Sequence, residues 1–458
     1  MAERFWIETL GCPKNQVDSD KLVGTLLADG MVPAADPDQA DLVVVNTCAF
    51  IDEARQESID TILALDDHRK DGSRLVVTGC MAERYGPELS DALPEVSAVA
   101  PFGVPVTLGP TRRPDGADAG VPVTPAAVPS LDLLELPRPP ATAPWAYVKV
   151  AEGCDRNCGF CAIPSFRGKQ RSRPLASIVD EVDALAAGGL LQEVVLVAQD
   201  LAAYGRDQGR GTRQIIPLVE ALVSRVARVR LLYLYPSDLT DELIGTICAT
   251  GVPYFDLSLQ HVSPPLLRRM RRWGSAERFR ERIDTIRARE PGAAFRSNFI
   301  VGYPGETEDD HDALLAFVEG VGLDWCGFFA YSEEEGTLGA TQEPKVPAPL
   351  VVERLQELRE LQDTITATRR DELVGTALEV LVDRPGVARS VREAPEIDGV
   401  VHVPAELAVG SFHAVEVTAA LGPDLEARPV TAATPEAIPG PGPGGNEASA
   451  SEPMGVAP

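Results

Sequence analysis

Three times within the first eighty residues, a short apolar run ends at a cysteine and gives way to a helical pattern. RFWIETLGC closes on Cys12, DLVVVNTC on Cys48 and RLVVTGC on Cys80. The segments that follow, DSDKLVGTLLADG, DEARQESIDTILALDDHRK and MAERYGPELSDAL, have the spacing of amphipathic helices. A short strand followed by a helix, repeated, leads to a parallel sheet covered by helices. Residues 1–103 are therefore expected to form a small parallel α/β domain.

The pattern then breaks. Residues 104–143 hold nine prolines among small and charged residues and read as a linker, with LDLLEL at 131–136 as a short ordered piece within it. From 144 to 372 the alternation returns, with strands predicted at AYVKVAEG, EVVLVAQD, VRLLYLY, YFDLSLQ, FRSNFIVG and WCGFFAYS. Six strand–helix units fit a partial (β/α)6 barrel, and an open doubly wound sheet has the same pattern. The long helical stretch VVERLQELRELQDTITATRRDELV closes this part. Between 373 and 430, ALEVLVDR, GVVHV and HAVEVTAAL predict a small β-barrel. The tail, 431–458, is rich in Pro, Gly, Ala and Ser and is expected to be disordered.

Bulk properties narrow the chemistry. No apolar run reaches the roughly 18 residues of a membrane span, and MAERFWIETLGC lacks the basic start and apolar core of a signal peptide. A cytoplasmic protein with reduced thiols is expected, so eight cysteines in 458 residues point to metal or redox chemistry rather than a disulfide framework. The net charge of -27 weighs against nucleic acid as the main partner, although local basic patches can override it.

The stretch EGCDRNCGFCAIPSFRGKQRSRP holds Cys154, Cys158 and Cys161 in the spacing C-x3-C-x2-C. A structural zinc site wants four closed ligands, and this loop offers neither a fourth cysteine nor a histidine. The five histidines, at 68, 261, 311, 402 and 413, show no ligand-like spacing. Three thiolates on a cubane iron–sulfur cluster leave one iron open to chelation by a small molecule. Cys12, Cys48 and Cys80 are far apart in sequence, and each alone reads as a small buried core residue. Each nonetheless follows a predicted strand, and loops after parallel strands gather along one edge of a sheet. Cys248 and Cys326 fall in a predicted helix and strand and read as core thiols.

The C-x3-C-x2-C loop after the first barrel strand resembles the radical S-adenosylmethionine (SAM) enzymes. TLGCPKNQVDSD, VNTCAFIDEARQES and VTGCMAERY resemble the N-terminal domain of the methylthiotransferases, a family that joins such a domain to a radical SAM barrel and a C-terminal TRAM β-barrel. The resemblance covers nearly the whole chain apart from linker and tail. It implies two [4Fe-4S] clusters, on Cys154, Cys158 and Cys161 and on Cys12, Cys48 and Cys80. It also implies SAM on the open iron of the first, reductive cleavage to a deoxyadenosyl radical, and a sulfur donor at the second. Phe160 matches an aromatic position of the motif, though plain packing would equally explain it. Gln199, Asp200, Gln260, Ser297 and Asn298 stand at predicted strand ends, where a barrel builds its site, and are the expected SAM contacts.

CAIPSFRGKQRSRP, VAQDLAAYG, LQHVSPPLLRRMRR, FFAYSEEEGT and REAPEIDGVVHV resemble the RimO-type branch of the family, which modifies the β-carbon of an aspartate in small-subunit ribosomal protein S-twelve. LSLQH stands where that branch more usually has IPLQH. The alternative acceptor is isopentenyladenosine in tRNA. Residues 377–430 carry nine acidic and four basic side chains, a balance suited to a basic protein rather than to RNA. Two basic groups, Arg268 to Arg272 and Arg167, Lys169, Arg171 and Arg173, lie near strand ends and are expected to meet the acceptor carboxylate or nearby ribosomal RNA; for RRMRR, a solvated helix face is the competing reading. The reaction also requires a reductant, such as flavodoxin or ferredoxin, and a sulfur source.

Overall fold

The computed structural model describes residues 2–106, 132–209 and 211–430; most of the predicted linker (107–131) and the tail from 431 lie outside the described residues. The N-terminal sheet contains β1 (Arg4–Thr9), β2 (Val32–Pro33), β3 (Leu42–Thr47), β4 (Arg74–Gly79) and β5 (Ala98–Ala100). All pair in parallel, in the order β2-β1-β3-β4-β5. Every residue of β3 is buried, as a strand covered on both faces requires. The strand order reverses between β1 and β3, and at such a switch point the strand C-terminal ends part to leave a crevice. Cys12 and Cys48 follow the two strands that flank it. The first helix runs Pro13–Ala28, starting ahead of the predicted Asp18. Proline suits the first helical position, where an N–H would have no partner.

The central part contains β6 (Trp145–Lys149), β7 (Ala151–Glu152), β8 (Arg171–Ser172), β9 (Glu193–Val197), β10 (Arg228–Leu231), β11 (Tyr254–Gln260), β12 (Ala294–Val301) and β13 (Trp325–Ala330). Two parallel sheets, β6-β9-β10 and β11-β12-β13, meet through a parallel bridge between Leu234 and Leu257. The six long strands thus follow one another in chain order without reversal. That is the winding of a partial barrel, since a doubly wound sheet would turn back on itself. AYVKVAEG, read as one strand, is broken: Ala151–Glu152 turns away and pairs antiparallel with Arg171–Ser172. The turn needs Gly153, at φ 74°, where a Cβ would stand 2.2 Å from the Lys169 carbonyl oxygen. This short ribbon closes the base of the cysteine loop.

The last part is a closed barrel of β14 (Ala377–Arg384), β15 (Val387–Arg389), β16 (Val401–His402), β17 (Phe412–Leu421) and β18 (Asp424–Pro429), in the order β14-β15-β16-β18-β17. The connection from β15 to β16 plugs the N-terminal end of the central barrel. Ala394 is wholly buried in a cluster with Tyr147, Val195, Tyr254 and Trp325. Around it, Tyr147 donates to the Pro395 carbonyl at 2.8 Å, Trp325 Nε1 to the Arg392 carbonyl at 2.9 Å, and Arg296 pairs with Asp398 at 2.8 Å.

Glu193, the first residue of β9, ties these two parts together. It is fully buried between Arg230 at 2.7 Å and Arg389 at 3.1 Å. Burial raises its pKa, but the two guanidinium groups outweigh that and hold it down at about 2. Glu193→Ala leaves two buried cations short of a partner and is expected to destabilise the metal-free chain by about 3–5 kcal/mol, read as a lower urea midpoint. Because the folded pKa is depressed, the stabilisation is present above the carboxyl's usual value of 4.5 and is lost as pH falls from there toward about 2. Glu193→Gln is expected to flatten the acid dependence of stability in that window; an unchanged slope would contradict the assignment.

Candidate active site

Each triad is assembled by strand ends and tight turns. Cys12 caps the helix Pro13–Ala28, Cys80 opens the helix Cys80–Ala92, and Cys48 lies between β3 and the helix Asp52–His68. Gly11, at φ 92°, lets the chain before Cys12 approach Cys48 so closely that a Cβ there would stand 2.9 Å from the Cys48 sulfur. Cys48 feels the charge of both Cys80 and Cys12, so the three thiols, dispersed in sequence, share one site. The same coupling joins Cys161 to Cys158 and Cys154. In the barrel loop, the Cys154 amide donates to the Gly168 carbonyl at 3.1 Å and the Cys161 amide to the Cys158 carbonyl at 3.2 Å.

The thiols differ in their readiness to ionise. Burial drives Cys48 and Cys161 up to about 12 and Cys154 up to about 11, and it also raises Cys80. Burial opposes ionisation of Cys12 too, but Lys14, Arg167 and backbone N–H donors at the helix start outweigh it, and its pKa is lowered. Among the described residues, no three His, Cys, Asp or Glu side chains converge as they would on one metal ion. A cluster does not require that, since each thiolate takes a different iron. The donor set fits two clusters held by three thiolates each.

The two triads face one another. Arg167, from the barrel's cysteine loop, donates to the Cys80 sulfur from Nε at 3.3 Å and Nη2 at 3.0 Å. Lys14, two residues after Cys12, lies 3.4 Å from the ring centroid of Tyr233, just past β10. Beyond β13, the Ser332 hydroxyl accepts from the Asp52 amide at 3.1 Å, and buried Glu334 pairs with Arg55 at 2.7 Å and Arg84 at 2.6 Å. The N-terminal domain therefore covers the C-terminal mouth of the barrel.

Several expected SAM contacts stand at this mouth with unused polar atoms. Among the described residues, Gln199 Oε1, Asp200 Oδ1 and Asn298 Oδ1 are buried without a hydrogen-bond partner. The other Asp200 oxygen holds Arg156 at 2.6 Å. The guanidinium groups of Arg156 and Arg272 both lie on the Tyr235 ring, at 3.8 and 3.9 Å, and Arg272 Nη1 reaches the Cys158 sulfur at 3.5 Å. Gln260 ends β11 with φ 73°, a conformation uncommon for residues with a Cβ, next to an irregularity in the β11–β12 register. Phe160 packs beside Leu266, Met270 and Tyr303. Ser297 is different: it is fully buried, and its hydroxyl donates to the Leu257 carbonyl at 2.8 Å within the sheet.

The basic groups are only partly free. Arg171 pairs with Asp132 at 2.6 Å, Arg173 with Glu181 at 2.7 Å, and Arg167 is buried at Cys80, leaving Lys169 exposed. In the second group, Arg269 donates to the carbonyls of Pro304 and Glu343 at 2.9 and 2.8 Å, while Arg268 and Arg271 are exposed. Cys248 and Cys326 pack against the barrel core, as expected of structural thiols. Sequence reasoning missed Arg156, Tyr235 and Glu152 as members of the site. Glu152 is the residue before Gly153-Cys154, and its carboxylate accepts from Gln199 at 3.0 Å.

Comparison with known proteins supplies three family models in sequence: the uncharacterized protein family UPF0004 over residues 4–101, the radical SAM superfamily over 148–318 and the TRAM domain over 374–430. A ribosomal protein uS12 methylthiotransferase RimO of Cutibacterium acnes is 40% identical, covering 93% of this chain and 97% of the relative. The protein of the same name from Moorella thermoacetica is 42% identical over 91% and 96% of the two chains, and that of Streptomyces coelicolor 39% identical over 92% and 96%.

The thiol environments lead to an order of reactivity in the metal-free protein. Cys12, with its lowered pKa, is expected to react with iodoacetamide near neutral pH before Cys48 or Cys161, both near 12. Peptide mapping by mass spectrometry over time checks this, and earlier labelling of Cys48 would contradict it.

Proposed function

We infer that this chain, which belongs to the RimO family of ribosomal protein uS12 methylthiotransferases, attaches a methylthio group to the β-carbon of an aspartate in that ribosomal protein. The observation that carries the reading is the meeting of two cysteine triads at one barrel mouth, with Arg167 of one loop on Cys80 of the other. Cys154, Cys158 and Cys161 would hold one [4Fe-4S] cluster, at which SAM binds, and Cys12, Cys48 and Cys80 would hold the other. When bound, the barrel cluster would supply the electron that cleaves one SAM, and the N-terminal cluster would present sulfur that is drawn from a separate source and methylated by another SAM. Gln199, Asp200 and Asn298 accept hydrogen bonds from donors on SAM with their unpartnered oxygens. Gln260 and Phe160 line the same site. Ser297, bonded within the sheet, supports the strand rather than the ligand.

Covering of the mouth by the N-terminal domain limits water at the reacting carbon, and a radical step needs no acid–base pair of the usual kind. The acceptor side is read from charge. Part of the acidity of the last barrel is turned inward, with Glu393 on Arg370 at 2.5 Å and Asp398 on Arg296 at 2.8 Å. Glu379, Glu396, Glu406 and Glu426 remain on its surface, which suits a basic ribosomal protein better than RNA. Arg268 and Arg271 are exposed and are the candidates we assign to meet the aspartate carboxylate. Among the described residues, no helix is long and apolar enough to cross a membrane. We place the reaction in the cytoplasm, with a flavodoxin or ferredoxin as reductant and a separate sulfur source.

The test is anaerobic reconstitution with SAM, reductant and two separate acceptors, uS12 and an isopentenyladenosine-bearing tRNA. The aspartate peptide of uS12 is expected to gain one sulfur and one CH2; a gain on tRNA alone would move the acceptor. Cys158→Ala is expected to release no deoxyadenosine. Cys48→Ala is expected to release it while leaving uS12 unmodified, and full product from that variant would remove the N-terminal cluster from the reaction.

A further inference from the structure

We propose that Arg167 is a positioning residue for the N-terminal triad, setting the reduction potential of the cluster held there from a base in the barrel's own cysteine loop. The inference rests on the two-cluster reading above and adds a residue to it. Arg167 follows Cys161 by six positions, yet its side chain turns from the barrel triad to the other one. Nε and Nη2 reach the Cys80 sulfur at 3.3 and 3.0 Å, and Nη2 also donates to Asn15 Oδ1 at 2.8 Å. Nη1 takes both oxygens of Glu152, at 2.8 and 2.9 Å, with the Asp18 carboxylate at 3.6 Å. The side chain is only 3% exposed, so these contacts are made away from bulk water.

The base of this arrangement belongs to the other triad. Glu152 is steadied by Lys149 at 2.7 Å and Gln199 at 3.0 Å, and it stands two residues before Cys154. The Cys154 amide is bonded at 3.1 Å to the carbonyl of Gly168, the residue after Arg167. Both ends of the cysteine loop thus converge on the guanidinium. Asn15 is anchored in turn, donating to the Leu10 and Thr47 carbonyls at 2.9 and 3.0 Å, one in the turn ahead of Cys12 and one next to Cys48. A planar fork of five donors can serve Cys80, Asn15 and Glu152 together; an ammonium cannot.

The consequence is electrostatic. Reduction adds one negative charge to a cluster and its thiolates. A fixed cation with two N–H donors on one of those sulfurs favours the more negative state, and hydrogen bonds to sulfur are among the groups that set cluster potentials. Arg167 therefore raises the potential of the N-terminal cluster, and it does so only while the barrel loop is in place.

The experiment uses the full chain with Cys154, Cys158 and Cys161 all changed to Ala, so that only the N-terminal cluster loads. After anaerobic reconstitution with iron and sulfide, its midpoint is read by mediated titration followed by electron paramagnetic resonance. Arg167→Gln is expected to disfavour reduction on the order of tenfold, a fall of about 59 mV for one electron. Arg167→Lys is expected to lie between, keeping the charge without the fork. Equal midpoints in loaded proteins would overturn the proposal. If Arg167→Gln does not take up iron, Arg167→Lys decides by its midpoint. Failure of both to load, with the Arg167 parent loaded, would make the residue one of folding and overturn the proposal. A parent that builds no cluster would instead sink the two-cluster reading itself.

Discussion

Two acids and two bases buried between the first helix and the barrel fix how the two halves of the site meet. Asp18 lies on the helix Pro13–Ala28, Lys149 ends β6, Glu152 ends β7, and Arg167 returns from the cysteine loop. Lys149 bonds both Asp18 and Glu152, and Arg167 donates from Nη1 to both carboxylate oxygens of Glu152. Their charges cancel, which a set of ions this far from water requires. Because each partner comes from a different segment, the network defines one position of the N-terminal edge over the barrel mouth. Removing any one member leaves an unbalanced charge in the interior, shared among the members that remain.

The same principle recurs at the opposite end of the barrel. Glu193, Arg230 and Arg389 form a second buried ion group at the start of β9, and Glu393 of the plug forms a third with Arg370, in the last turn of the helix Ala348–Asp371. The barrel mouth is covered by the N-terminal domain and its floor by the C-terminal one. The central sheet is thereby closed at both ends, and the cysteine loop emerges at the mouth that the N-terminal domain covers.

Much of this was legible in the sequence, and the exceptions have physical causes. Apolar runs ending in Cys12, Cys48 and Cys80 announced parallel strands whose loops share an edge, and that edge is where the thiols meet. Gln199, Asp200 and Asn298 were chosen by the rule that barrels build sites at strand ends, and each has a buried side-chain oxygen without a partner among the described residues. Ser297 did not, because side chains alternate along a strand and a one-residue step turns Ser297 into the sheet contact with Leu257 while leaving Asn298 Oδ1 without a partner. Arg167 was read as a cation for the acceptor because its partner, Cys80, is 87 residues away and nothing local signals the pairing. The plug was equally hidden, since Arg389 and Glu193 are 196 residues apart. A basic side chain near a strand end looks the same in sequence whether it awaits a substrate or completes a buried ion pair.

The two proposed clusters lie next to one another, linked through Cys80, Arg167, Glu152 and Cys154. The most direct measurement is pulsed electron paramagnetic resonance on the reconstituted wild-type chain with both clusters reduced. Spin–spin interaction between them is expected, seen as broadening and faster relaxation absent from proteins lacking either triad. Two spectra that simply add, with unchanged relaxation, would place the clusters apart and contradict this arrangement.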